Sequence, residues 1–391
     1  MANYSLGRSG PMRLSERALG PDLARGLMLL FIALANSHYF LGGETIRGGF
    51  PIGGSTVDSV TTWLISTFVD GRAFPMFGLL FGYGVAQIAR RQVALGPRGL
   101  RHLLWRRSLV LVVVGFLHAV LLYVGDILAA YGVLLALGVW AIRWRDRWLV
   151  IAAVAFFALN AMPDADASAV STEVADESMI PSDLSAMFTS RIVVQPFIML
   201  LGPIGFACPF LIGLWAGRRR LLERPDEHRR LLAVTATVGI TIAILGAQPA
   251  ALMVSGVTDV PSNDVLAVIG PLHDATGVLG GFGYAALISL LATRITAPNR
   301  VVIALAATGQ RSMTCYLTQS VVWAMAFTPF LFDLADRLTV SATALLAFAT
   351  WVATVGMADA MRRRGNRGPF ESLTRGFTYP NQGIPRRDRT T

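Results

Sequence analysis

Ten apolar runs succeed one another along this chain, at roughly 26–43, 58–89, 107–124, 126–142, 148–162, 192–216, 231–255, 270–293, 301–332 and 340–360. Most approach the about 20 residues that a spanning helix needs. No soluble domain offers enough interior for so much continuous apolar surface. A mean hydropathy of +0.55 agrees, and only 15% of the 391 residues are charged, where a soluble protein carries about a quarter. The reading is an all-α, polytopic integral membrane protein with about ten transmembrane helices. Two runs are too long for one straight span at about 1.5 Å per residue. The second contains Asp70-Gly71-Arg72 and Pro75, and the ninth Gly309-Gln310-Arg311, so both helices are expected to be broken or kinked there.

The basic residues give an orientation. All 34 are arginine, a whole-chain bias without functional weight, and they lie between apolar runs. The net charge of +10 is therefore no nucleic-acid footprint, which would gather on one polar face. Six arginines fall in 90–107, six in 218–230 and eight between Arg362 and Arg389, whereas 163–190 carries Asp164, Asp166, Glu173, Asp176, Glu177 and Asp183 and no arginine. The positive-inside rule then places both termini in the cytoplasm and the acidic segment outside. The domain reading is a cytoplasmic segment 1–21, a membrane domain 22–361 with an acidic loop at 163–190, and a basic cytoplasmic tail 362–391. The loop, rich in Ala, Ser and Asp, is expected to be mobile. Arg8, Arg13 and Arg17 precede the first run and no small-residue cleavage site follows it, so that run reads as a retained span. Cys208 and Cys315 sit inside apolar runs and read as buried packing residues.

A strong dipole or charge at membrane depth costs a few kcal/mol, so each asks for a partner or a role. The first span holds Asn36, Ser37 and His38, the second Asp70 and Arg72, and the third His118; Asp126 opens the fourth, and the ninth holds Arg311, Ser312, Thr314, Tyr316 and Gln319. Counting rise per residue puts His38, His118 and Asp126 at similar depth toward the outer side, with His273 entering from that side. His118 and Asp126 are the sharpest pair, because a carboxylate that orients an imidazole makes it a general base. The competing reading is a structural hydrogen bond pinning helices three and four, and single histidines such as His38 and His273 are more often packing residues. Asp70 and Arg72 balance each other or pair with Arg311 and Asp126. No His-Glu or Cys-rich metal motif occurs, so no metal is expected. Gly82-Tyr83-Gly84 and Gly280-Gly281-Phe282-Gly283 lie in apolar helices and read as contact surfaces, not phosphate loops.

Together these motifs resemble the YeiB-like bacterial membrane proteins, domain-of-unknown-function family 418. The matching residues are Asp22-Leu23-Ala24-Arg25-Gly26 leading to Asn36; Phe68-Val69-Asp70-Gly71-Arg72 followed by Phe77 to Gly84; and Arg106-Arg107 leading through Gly115 and His118 to Gly125-Asp126-Ile127-Leu128 and Tyr131. They continue with Gly309 to Ser320 and end with Gly368-Pro369-Phe370-Glu371 through Arg375 to Thr378-Tyr379. The first two motifs are distantly similar to those of the transmembrane acyltransferase superfamily, although residues 44–69 lack the histidine that its glucosaminide branch places there.

The resemblance implies an enzyme that moves an acyl group from cytoplasmic acyl-CoA to an extracytoplasmic hydroxyl or amine, on a small molecule or a glycan. Acyl-CoA would be a co-substrate, with no tightly bound cofactor. His118 is expected as the base and Asp126 as its orienting partner, with His38 as the other candidate. Arg311 and Gln319 would hold thioester or phosphate, Asn36 would steady oxyanion charge, and Asp70, Arg72 and Tyr316 complete the substrate-binding candidates. His118→Gln should abolish activity and Asp126→Asn should be milder. Two other classes stay open: an exporter of a small hydrophilic molecule, suggested by the two broken helices, and a structural or regulatory membrane protein. The oligomeric state is not legible.

Overall fold

The computed structural model describes residues 18–379. Arg8, Arg13 and Arg17 and the tail arginines Arg386, Arg387 and Arg389 lie outside the described residues. Each apolar run becomes a helix or a pair of half-helices: α1 (Leu19–Ser37), α2 (Thr56–Phe68), α3 (Ala73–Arg91), α4 (Gly96–Leu121), α5 (Leu128–Gly138), α6 (Asp146–Asn160), α7 (Leu184–Arg218), α8 (Arg229–Val254), α9 (Asn263–Thr293), α10 (Arg300–Gln310), α11 (Ser312–Phe327) and α12 (Val340–Arg363). A last helix, α13 (Pro369–Thr378), follows. A two-residue hairpin, β1 (Ile46–Arg47) with β2 (Phe50–Pro51), is the one sheet among the described residues.

The chain is an all-helical membrane protein. Seven stretches are long and apolar enough to cross a bilayer, counting α2 and α3 as one. The other expected spans correspond to α5 (11 residues), α6 (15 residues) and the pair α10 and α11 (11 and 16 residues). These are shorter because each ends at a break or a reversal.

Both expected breaks occur, and each is held by an arginine. Between α2 and α3 the chain turns at Gly71, whose φ of +71° suits a residue without Cβ. Breaking a helix in an apolar surrounding orphans carbonyl groups, which must find donors inside the protein. Arg72, fully buried, supplies them: Nη1 donates to the oxygens of Ser66 (3.3 Å) and Asp70, and Nη2 to Ala243 O of α8 (2.7 Å). At the second break Arg311 plays the same part, donating to Ala307 O (3.1 Å) and to Asn366 O beyond α12 (2.6 Å). Asp126 is engaged by His118 and by Ala129 N, and these two Arg311 contacts go to carbonyl oxygens instead of the expected carboxylates.

Glycines let the bundle close. A Cβ on Gly309 of α10 would lie 1.8 Å from Asp22 O of α1, and one on Gly82 of α3 would lie 2.1 Å from Phe210 O of α7. Backbones touch at both crossings, as the glycine-rich sequences suggested. Gly281 of α9 similarly faces Arg72 O and Met76 N.

The acidic segment differs from its expectation. It folds as a run of turns pinned to the β1–β2 hairpin and to the start of α9: Gly48 N donates to Ser171 O (2.7 Å), Asp164 N to Ala267 O (2.9 Å) and Arg47 Nη1 to Val170 O (3.1 Å). Val170 is buried, and Asp183 caps α7 through Ala186 N (2.9 Å), so that helix starts at Leu184, ahead of the expected 192. A polar composition does not prevent docking when small side chains let the backbone approach its neighbours.

Candidate functional site

α4 and α5 meet in a six-residue reversal, 122–127. Gly115 allows this: a Cβ there would lie 2.2 Å from Ala129 N, so α5 starts directly against α4. The approach seats Asp126 beneath His118. Asp126 Oδ1 accepts from His118 Nδ1 (2.7 Å) and Oδ2 accepts from Ala129 N (2.7 Å), with the two side chains 1% and 0% exposed. A carboxylate can only accept, which assigns the His118 proton to Nδ1 and leaves a lone pair on Nε2. Nε2 is buried and makes no hydrogen bond.

Tyr316 of α11 packs against this imidazole, ring centroids 5.1 Å apart. Its hydroxyl is buried near the Ile127 amide without a hydrogen bond. One turn on, Gln319 Nε2 donates to Leu29 O (3.3 Å), while its Oε1 has no partner. Asn36, in the last turn of α1, accepts from Tyr123 Oη (3.3 Å), just past α4. His118, Asp126 and Tyr316 are thus brought together, with an acceptor nitrogen and a donor hydroxyl both uncommitted.

The other candidates form a second group around the α2–α3 break. His38 stacks on Phe50 (3.8 Å) and its Nε2 lies 3.7 Å from Asp70 Oδ2, beyond hydrogen-bond reach. His273 Nε2 receives Arg72 Nη1 (2.9 Å), while its Nδ1 faces Asp274 (3.2 Å). The expected outer cluster therefore divides. His118 and Asp126 pair with each other, and His38 and His273 belong to the Asp70–Arg72 group. Arg72, with its terminal nitrogens on carbonyls and on His273, is a staple between α2, α8 and α9.

A cavity of ≈ 290 Å³ opens on the side where the arginines lie and reaches inward to Tyr316. Arg25, Arg91, Arg107, Arg311, Arg367 and Arg375 line it, with Glu371 as the one acidic side chain among its described lining residues. Deeper, Phe77, Leu111, Leu128 and Tyr131 make its wall apolar. Tyr379 also borders it; burial pushes this phenol above its ordinary pKa, against the opposing pull of Arg107, Arg375 and Arg91, so it remains a donor. A second cavity, ≈ 510 Å³, lies on the side of the acidic segment and includes Asp164, Asp166 and Asp274. No cluster able to hold a metal occurs among the described residues.

Reading the sequence by membrane depth passed over Arg25, Arg91, Arg107, Arg367, Arg375 and Glu371, because they lie at or beyond the edges of the apolar runs, where charge is cheap. Several of them stand inside the motifs of the resemblance, which was the available signal.

Comparison with known proteins agrees with those motifs. Residues 216–381 match the family described as "Protein of unknown function (DUF418)". The uncharacterized protein YxaH of Bacillus subtilis (strain 168) is 24% identical over 404 residues, covering 94% of this chain and 96% of its own length. An uncharacterized 39.9 kDa protein in the amylase 3′ region of Bacillus acidopullulyticus is 26% identical, covering 96% and 97%. The uncharacterized protein YeiB of Escherichia coli (strain K12) is 34% identical over 132 residues, 33% of this chain and 31% of YeiB. Residues 216–381 of this membrane protein thus match DUF418, and a third of the chain is similar to YeiB.

Proposed function

We propose that this protein is a membrane acyltransferase that takes an acyl group from acyl-CoA and delivers it to a hydroxyl or amine acceptor. The observation that carries the reading is the buried His118–Asp126 pair, whose imidazole packs against Tyr316, a residue that also lines the arginine-bearing cavity. In this reading the chain crosses the bacterial inner membrane ten times with both termini inside, since the arginine-bearing ends of its helices alternate with the acidic ones. The arginine-lined cavity then faces the cytoplasm, where acyl-CoA is available. Its basic mouth suits phosphates and its apolar depth suits an acyl chain.

The chemistry follows from the atoms on hand. The acceptor O–H or N–H gives its proton to His118 Nε2 as its oxygen or nitrogen bonds to the thioester carbon. Asp126 steadies the imidazolium, and the Tyr316 hydroxyl donates to the developing oxyanion. The C–S bond breaks, and the thiolate takes the proton back from Nε2 to leave as CoA. Asn36 and Gln319 lie on the elements that frame this point.

The test is release of free CoA thiol from acetyl-CoA and longer acyl-CoAs by protein in liposomes, with water, a polyol and an amino sugar as acceptors. Thiol release that disappears in a folded His118→Gln variant is the expected result; release unchanged in that variant refutes the base assignment. A second reading, export of a small hydrophilic molecule, draws on the two cavities on opposite sides and the two broken helices. Solute movement without thiol release would favour it.

A further inference from the structure

The tail motif Gly368-Pro369-Phe370-Glu371 has no part in the chemistry above, yet its glutamate is tied to the cavity wall. α11 begins directly after the break at Arg311 and no side chain of its own caps it. Its first amides would be orphan donors in the interior. Glu371, 57 residues further on in α13, fills that role: Oε1 accepts from Met313 N (2.9 Å) and Thr314 N (3.1 Å), and Oε2 from Thr314 Oγ1 (2.5 Å). Two amides and a hydroxyl at the positive end of a 16-residue helix form the donor set that binds phosphate oxygens elsewhere. Ser312, Met313 and Glu371 line the same cavity as the arginines. A second observation marks that cavity as a ligand site: Tyr316, 3% exposed, lines it with a hydroxyl that has no hydrogen-bond partner.

The connection to α13 is made for close docking and for movement. Arg364 to Gly368 join it to α12, with Gly365 at φ +68°. A Cβ on Gly368 would meet Glu371 Oε2 at 1.9 Å and Thr314 Oγ1 at 2.3 Å. α13 packs inward through Phe370, Thr374 and Thr378, while on its far side Leu373 and Phe377 are 41% and 61% exposed, so nothing covers the helix from outside among the described residues. At ≈ 290 Å³ the cavity is near the lower end for drug-sized ligands, about 300–1,000 Å³, and a nucleotide thioester is larger than that.

We propose that the start of α11, with the Thr314 hydroxyl, is a phosphoryl subsite, that Glu371 covers it as an internal competing anion, and that α13 swings away when a phosphorylated ligand takes the carboxylate's place. The proposal rests on reading the cavity as the donor site, and it names the group that site would grip. It also makes Glu371 a gate on entry: the ligand must displace one carboxylate among six arginines, which sets a threshold of affinity.

Isothermal titration of the purified full chain, in detergent, with inorganic pyrophosphate and separately with CoA tests this. Glu371→Gln keeps an oxygen for the amides and removes the charge, so pyrophosphate should bind at least fivefold more tightly than to the wild type, while Thr314→Val should bind at least threefold more weakly. Equal or weaker pyrophosphate binding to a folded Glu371→Gln variant overturns the competitor role. Tightened pyrophosphate with no CoA binding in either protein keeps the subsite and removes the acyl-CoA reading. Should Glu371→Gln fail to fold, spin labels at Leu373→Cys and Val93→Cys in the wild-type background decide the matter. Their separation should lengthen at saturating pyrophosphate, and an unchanged distance overturns the swinging helix.

Discussion

Asp126→Asn isolates the tautomer of His118. Asp126 uses both oxygens, one for His118 Nδ1 and one for Ala129 N, each at 2.7 Å. An asparagine has a single oxygen, and the Ala129 amide can only donate, so the oxygen must turn to it and the NH₂ must face His118. Nδ1 then becomes the acceptor and the proton moves to Nε2, the nitrogen that serves as base. Both contacts survive the exchange, so stability should fall by only about 1 kcal/mol. Catalysis should not survive it: holding the wrong tautomer costs about 10⁴-fold, or about 5.5 kcal/mol of barrier. In place of the order expected from sequence, with Asp126→Asn milder than His118→Gln, the two variants should be nearly equal. Asp126→Ala provides the contrast, because it strips acceptors from two buried donors at about 1–3 kcal/mol each and should lower the melting temperature sharply. The assay is acyl-CoA thiol release beside a melting curve for each variant. Asp126→Asn that melts normally and keeps more than a tenth of wild-type release would show that the tautomer argument is wrong.

Three further outcomes follow from the packing. Gly309→Val should destabilise by about 1–3 kcal/mol, since even a Cβ at Gly309 would lie 1.8 Å from Asp22 O; an unchanged melting temperature would mean that α1 and α10 are not in backbone contact. Arg72→Met should cost at least about 3 kcal/mol, because Ser66 O, Ala243 O and His273 lose their donor together; a stable, inactive variant would instead assign Arg72 to substrate. For orientation, Val174→Cys, at a residue 63% exposed, should react with an impermeant thiol reagent on intact cells, and Val93→Cys, at one 73% exposed, should not; the reverse pattern inverts the topology.

What could be read from the sequence was what a local physical rule governs. Apolar length located the helices. Charge beside glycine located both breaks. The His118–Asp126 pair was legible because the reversal between them is too short to carry them apart. Helix starts were less legible: α4 begins at Gly96, where the apolar run starts only at 107, because arginine stems tolerate a helix that extends toward water. Pairings across the bundle were not legible at all. Nothing local says that Glu371 caps α11, that Arg311 serves Asn366 O, or that His38 and His273 gather around the α2–α3 break and leave His118 to Asp126. Depth counted along separate helices fixes one coordinate of three, and these contacts depend on the other two.

The central claim is that a thioester entering among the arginines meets His118, and a density map of the protein with a non-hydrolysable acyl-CoA analogue tests it most directly. The account predicts phosphates among Arg91, Arg107, Arg311 and Arg375 and the thioester carbon about 3–3.5 Å from an acceptor atom that is hydrogen-bonded to His118 Nε2, with Tyr316 Oη on its oxygen. An analogue seated instead beside Asp164, Asp166 and Asp274, or a saturated sample whose arginine-lined cavity is unaltered, would contradict it.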